Sequence, residues 1–182
     1  MNLALTLAAL AAVSTTEMQT MVDEIRVNQQ VPGVSVVVTH EDDVIFASGS
    51  GVADLETARP MTPDTILYAG SLSKIFTGVL TLKLAEEGRL ALDDAVAGIG
   101  VASGREDSGV TVRHLLTHAS GLDREGSFGY WFSAEFPDRR ALGRYLSKTK
   151  LRADPGTSFR YSNTGYAALG VVTERASSQS YD

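Results

Sequence analysis

Two runs rich in β-branched residues, Val34 to Thr39 and Val44 to Ala47, are separated only by the polar stretch His40-Glu41-Asp42-Asp43. That spacing constrains the fold more than any other feature of the chain. It predicts an antiparallel hairpin, with Ser48-Gly49-Ser50-Gly51 as the break that ends it. Two strands alone are marginal in water, so the hairpin needs cover, and the chain beyond it is mostly helical. The order strand, strand, then helices predicts an α/β fold in which a sheet contributes its opening strands and the rest of the chain supplies a helical layer.

Before the hairpin, Met18, Met21, Val22 and Ile25 recur at three- and four-residue spacing, which predicts an amphipathic helix from Glu17 to Gln30, ended by Val31-Pro32-Gly33. After it, a loop with the turn signals Arg59-Pro60 and Thr62-Pro63-Asp64 leads to the longest amphipathic helix. That helix opens at Ser71, carries Leu72, Ile75, Phe76, Val79 and Leu80 as its apolar stripe, and ends at Gly88. Val110 to Leu116 predicts a short helix capped by Thr111 and closed by Ser120-Gly121, and Asp138 to Leu146 predicts another. Phe159-Arg160-Tyr161 reads as extended, and Asn163 or Thr164 as the cap of a last helix reaching about Ala176.

With 182 residues, 43% of them hydrophobic, the chain can bury a core. Its 22 acidic and 16 basic residues are scattered and give a net charge of -6. No basic patch invites nucleic acid or an anionic membrane. The absence of cysteine excludes a disulfide framework and a thiolate metal site. Residues 3 to 13 are apolar, too short to span a bilayer, and followed by small residues, as in a signal-peptide core. No basic n-region precedes them, and Arg26 is the first basic side chain. Residues 1 to 16 are therefore expected to be either a signal peptide, implying a periplasmic or secreted protein, or an apolar N-terminal helix. The domain proper is then residues 17 to 182.

The chemistry concentrates at two places. In Gly70-Ser71-Leu72-Ser73-Lys74 a hydroxyl and an amine lie three residues apart on one helical face. Seventeen serines and four lysines give about 0.4 chance matches to Ser-x-x-Lys, and two are found, so context decides. Ser147-Lys148-Thr149-Lys150 stands at a helix end before a Pro-Gly turn, where its amine is expected in solvent. Ser71 instead starts a helix, where free N–H groups and the dipole favour negative charge. Lys74 sits one turn inside, beside Ile75 and Phe76, in surroundings that favour the loss of its proton. The pair reads as a serine nucleophile with a lysine base, or as an N-cap serine with a snorkelling lysine. Gly78 keeps that face small, with room for another chain segment or a substrate.

Ninety residues after Ser71 comes Tyr161-Ser162-Asn163, a phenol and an amide on a loop before a helix. They suit acyl-transfer chemistry, while a half-buried Tyr161 and a helix-capping Asn163 are the structural alternative. Nucleophile-elbow, zincin and P-loop signatures do not occur. His114 and His118 share a helical face by spacing, but no carboxylate stands at metal distance, and no metal is expected on them.

With these motifs in order, the chain resembles the N-terminal part of the serine β-lactamase and penicillin-binding-protein superfamily, on its class C-like, family VIII esterase-like branch. The resemblance rests on Val31-Pro32-Gly33-Val34, on Ser71 to Leu92 with its Glu87-Gly88-Arg89-Leu90 ending, on Thr111 through Leu122, and on Pro155-Gly156 through Gly170. It implies a β-lactamase/transpeptidase-like fold, a helical subdomain with the first two strands of an antiparallel sheet. It further implies Ser71 as acylated nucleophile, Lys74 as its activating partner, Tyr161 as general acid/base and Asn163 as a substrate-orienting amide. The Ser71 N–H would be half of an oxyanion hole. In the family the other half, and a Lys-Thr-Gly or His-x-Gly element, lie on a strand near the C-terminus that this sequence does not reach.

The expected function is a serine hydrolase without metal or organic cofactor, acting on β-lactams, small esters or D-amino-acid peptides. The alternative is a catalytically incomplete fragment or a non-catalytic penicillin-recognising protein of the same fold.

Overall fold

The computed structural model describes residues 13–97, 109–125 and 138–181. The signal-peptide or N-terminal-helix expectation falls almost wholly outside them. Among the described residues no helix is long and apolar enough to cross a membrane. The chain divides into two compact units, Met1–Tyr68 and Ala69–Asp182.

In the first unit, helix α1 spans Thr15–Asn28 and starts two residues before the expected Glu17. The reason is a capping box, in which the Glu17 N–H donates to Ser14 Oγ at 3.2 Å and Ser14 N–H donates to the Glu17 carboxylate at 2.8 Å. Strand β1, Gly33–His40, pairs antiparallel with β2, Asp43–Gly51, with Gly33 opposite Gly51 and an irregularity between Val38 and Thr39. The hairpin is as expected, but its end is not: Ser48-Gly49-Ser50-Gly51 continues the strand. The two glycines are there because neighbouring backbone leaves no space for a Cβ, which would lie 2.3 Å from Met61 O at Gly49 and 2.1 Å from Pro32 O at Gly51. The two serines tie the strand to α1: Ser48 bonds Gln19, Ser50 bonds Asp23, and Arg26 Nε donates to Ser50 Oγ at 2.9 Å.

The second unit opens with a 3₁₀ turn, Gly70–Leu72, that runs directly into α2, Ser73–Glu86. Gly88 ends α2 in a left-handed conformation with φ 70°. Around it the N–H groups of Gly88 and Arg89 return to the carbonyls of Ala85 and Leu84 at 3.0 and 2.9 Å, a Schellman arrangement. Helices α3, Val112–Leu116, α4, Arg139–Lys148, and α5, Asn163–Ser177, complete the unit. Helix α5 packs on α2, α3 and α4. The core forms where it does so, from Leu84, Val112, Leu115, Leu146, Leu169 and Val172 among others.

The apolar stripe expected to face this core does not. Leu72, Ile75, Phe76 and Val79 are 62%, 62%, 74% and 61% exposed, and Leu80 is 38% exposed. The face of α2 that is buried carries Thr77, Thr81 and Leu84. Helix α2 is apolar around most of its circumference, so periodicity could not tell which side packs. The two threonines enter the core because their hydroxyls bond the helix's own carbonyls, Thr77 to Ser73 O at 3.2 Å and Thr81 to Thr77 O at 2.8 Å. At Gly78 a Cβ would meet Leu116 Cδ2 at 3.9 Å, so the segment beside the small face is α3.

The cap of α5 is Ser162 rather than Asn163 or Thr164. Its buried hydroxyl accepts from Gly165 N–H at 2.8 Å and donates to Asp123 O at 2.5 Å. Ser162→Ala is therefore expected to cost about 2 kcal/mol in chemical denaturation, from a lost cap and a carbonyl left without that donor. A change within about 0.5 kcal/mol, the size of a neutral surface substitution, would refute this account.

Candidate active site

Four side chains that sequence spacing singled out converge in the second unit. The 3₁₀ turn places Ser71, which is exposed, and one turn later α2 places the half-buried Lys74. Ser71 Oγ and Tyr161 Oη share a hydrogen bond of 2.7 Å. Lys74 Nζ donates to Ser71 Oγ at 3.3 Å and to Asn163 Oδ1 at 2.6 Å. It also lies 4.9 Å from the centre of the Tyr161 ring and 5.7 Å from that of Tyr166.

Ser162 takes the cap, so the Asn163 side chain is free for other work. Its Nδ2 donates to Glu125 Oε2 at 2.9 Å, while its Oδ1 accepts from Lys74. An ammonium only donates and a carboxylate only accepts, so the two neighbours dictate which way the amide faces. Arg124 joins the same edge. It pairs with Glu125 at 2.8 Å and lies 5.5 Å from the centre of the Tyr161 ring, while its carbonyl accepts the Asn163 N–H at 2.8 Å.

The polar contact with Lys74, followed by the hydrogen bond with Ser71, holds the Tyr161 phenol below the ordinary tyrosine pKa, and Arg124 adds to this. Once ionised, a phenol tuned downward and touching a hydroxyl can take that hydroxyl's proton. The arrangement thus sets a hydroxyl against a phenol of lowered pKa, beside a cation that bridges to an amide.

The second Ser-x-x-Lys is arranged differently. Ser147 Oγ donates to Arg144 O at 2.9 Å within α4, and Lys150 is exposed beyond the helix end. The two histidines do not share a helical face, because α3 ends at Leu116 and His118 has turned into the left-handed region at φ 57°. His114 Nδ1 accepts from Thr111 N–H at 3.2 Å, whereas His118 Nδ1 accepts from Ser162 N–H at 3.1 Å. His118, Arg124 and Glu125 reach the site without having been expected there. The sequence hinted only at His118, by its place beside the Ser120-Gly121 turn.

The Beta-lactamase family profile matches residues 18–182. Penicillin-binding protein 4* of Bacillus subtilis (strain 168) is 33% identical over 168 residues, which is 90% of this chain and 37% of that protein. Among solved structures, the octameric penicillin-binding protein homologue from Pyrococcus abyssi superposes with a TM-score of 0.78 at 34% identity, over 93% of this chain and 40% of that one. A class C beta-lactamase does so with a TM-score of 0.73 at 28% identity, over 94% of this chain and 47% of that one. The chain thus spans less than half the length of each of these relatives. Its fold is the β-lactamase/transpeptidase-like one, helices with a two-stranded antiparallel sheet. By the profile, by these likenesses and by the fold, the chain belongs to the Beta-lactamase family, within the serine β-lactamase and penicillin-binding-protein superfamily.

Proposed function

We propose that this chain carries a serine hydrolase site in which Ser71 is acylated by a β-lactam, a small ester or a D-amino-acid peptide. The observation that supports it most is the 2.7 Å contact of Ser71 Oγ with Tyr161 Oη, made across ninety residues of sequence and bridged by Lys74.

The Tyr161 phenolate, favoured by the Lys74 charge, takes the Ser71 proton and becomes the phenol as Oγ attacks the substrate's carbonyl carbon. The Ser71 N–H, in the first helical turn, donates to the oxyanion in this reading. As the tetrahedral intermediate collapses, the carbon–leaving-group bond breaks and Tyr161 returns the proton to the leaving atom. Water then attacks the ester on Ser71, gives its proton to Tyr161, and releases the acid as Oγ recovers a proton. Asn163 holds Lys74 by its oxygen and Glu125 by one Nδ2 hydrogen, which leaves the second hydrogen to donate to a substrate carbonyl.

The test is intact-mass spectrometry of the chain after short pulses of a penicillin, a p-nitrophenyl ester and a D-alanyl depsipeptide. The expected result is an acyl adduct on Ser71 with at least one of them, decaying as product appears. No adduct from any of the three would overturn the proposal. A penicillin adduct that never decays would favour a penicillin-recognising protein over a hydrolase.

A further inference from the structure

His118 stands against the inner face of Tyr161. Its left-handed backbone, just beyond α3, turns both its carbonyl and its imidazole toward the extended segment that precedes α5. The carbonyl accepts the Arg160 N–H at 2.7 Å, and Nδ1 accepts the Ser162 N–H at 3.1 Å. These two amides flank Tyr161, so one residue grips it from both sides. The ring also lies against Tyr161 at 4.6 Å and against Tyr166 at 4.9 Å, with Phe159 edge-on at 5.7 Å.

We propose that neutral His118 is the positioning residue that aims the Tyr161 phenol at Ser71, and that protonating its imidazole undoes the aim. This rests on the proposed hydrolase reaction, in which Tyr161 moves the Ser71 proton. With Nδ1 accepting, the neutral ring carries its hydrogen on Nε2. A second proton has to go to Nδ1, where it would face the Ser162 N–H, donor against donor. Among the described residues, the titratable and charged groups around the ring are Lys74 from α2, Tyr161 from the extended segment and Tyr166 from α5, with Arg124 beyond the Tyr161 ring. Burial first, and the Lys74 charge second, hold the His118 pKa below the ordinary histidine range. The Nδ1 half of the grip is therefore intact at neutral pH and is released only on acidification, while the carbonyl half remains.

Two variants separate the grip from the ring. His118→Asn keeps an acceptor near the place of Nδ1, tolerates the left-handed backbone and cannot titrate. His118→Phe keeps a stacking ring but offers no acceptor. The measurement is the Ser71 acylation rate by a p-nitrophenyl ester against pH, beside the 15N resonances of His118 and the 13Cζ resonance of Tyr161 in the unaltered chain. Below the limb set by Tyr161 itself, a second and steeper fall in acylation is expected to coincide with the His118 titration, and the Tyr161 resonance moves with it. His118→Asn should keep acylation within about threefold at neutral pH and lose that second fall while keeping the Tyr161 limb, and His118→Phe should lose about tenfold or more in rate with little change in KM.

A Tyr161 resonance indifferent to the His118 titration would overturn the proposal, and it needs no variant to fold. So would a second, steeper acid fall that persists in His118→Asn, or wild-type acylation in His118→Phe. If the chain is never acylated at any pH and the Tyr161 resonance still follows His118, the positioning role stands and the hydrolase reading falls.

Discussion

Ser71→Ala is expected to abolish covalent labelling by a fluorescent penicillin or a fluorophosphonate, a loss of roughly 10³-fold or more, while Ser147→Ala leaves labelling nearly unchanged. Both serines begin a Ser-x-x-Lys, so the contrast tests tertiary context rather than motif. Ser71 has a phenol at 2.7 Å and an ammonium at 3.3 Å. Ser147 spends its hydroxyl's hydrogen on the Arg144 carbonyl of its own helix. Peptide mapping after a short pulse decides between them. An adduct found on Ser147 would sink the assignment.

The second large effect concerns Lys74. In the proposed reaction the working form of Tyr161 is the phenolate, so acylation rises as pH climbs through the Tyr161 pKa. Lys74 is the first cause of the lowered pKa of that phenol, which brings the rising limb to lower pH than an ordinary tyrosine would give. Lys74→Ala removes the cause. The limb should move to higher pH, and the rate at neutral pH should fall by about 10² or more. Lys74→Arg is expected to be nearly as damaging. Its longer, planar fork does not place one N–H on Asn163 and another on Ser71 in the geometry of the compact amine. Stopped-flow acylation against pH measures both. If the Arg variant kept more than a tenth of the rate, a loss under about 1.4 kcal/mol, the role of Lys74 would be charge alone.

Legibility in the sequence depended on whether the signal was local. The Ser71–Lys74 pairing came from a three-residue spacing, which a helix converts into adjacency. The α1, α3 and α4 boundaries lie at nearby caps, Ser14, Thr111 and Asp138, each bonding a backbone N–H three residues on. The end of α2 at Gly88 rests on a conformation that glycine adopts cheaply. Ser48 to Gly51 reads as a break because glycine usually ends a strand, whereas here the Met61 and Pro32 backbones come too close for any side chain.

Local periodicity and capping rules, acting through hydrogen bonds three or four residues long, were enough for the sequence by itself to determine the hairpin, the helices and the candidate nucleophile with its lysine. Only the tertiary structure decided which face of α2 is buried, because that face is set by the packing of α5 rather than by hydrophobic count. It also decided that Ser162 caps α5, since the Asp123 carbonyl it bonds lies 39 residues away. That choice releases Asn163 to Lys74 and Glu125, and it presents the Ser162 N–H to His118. Such partners are joined by contacts 38 to 90 residues apart in the chain, and no local spacing encodes them.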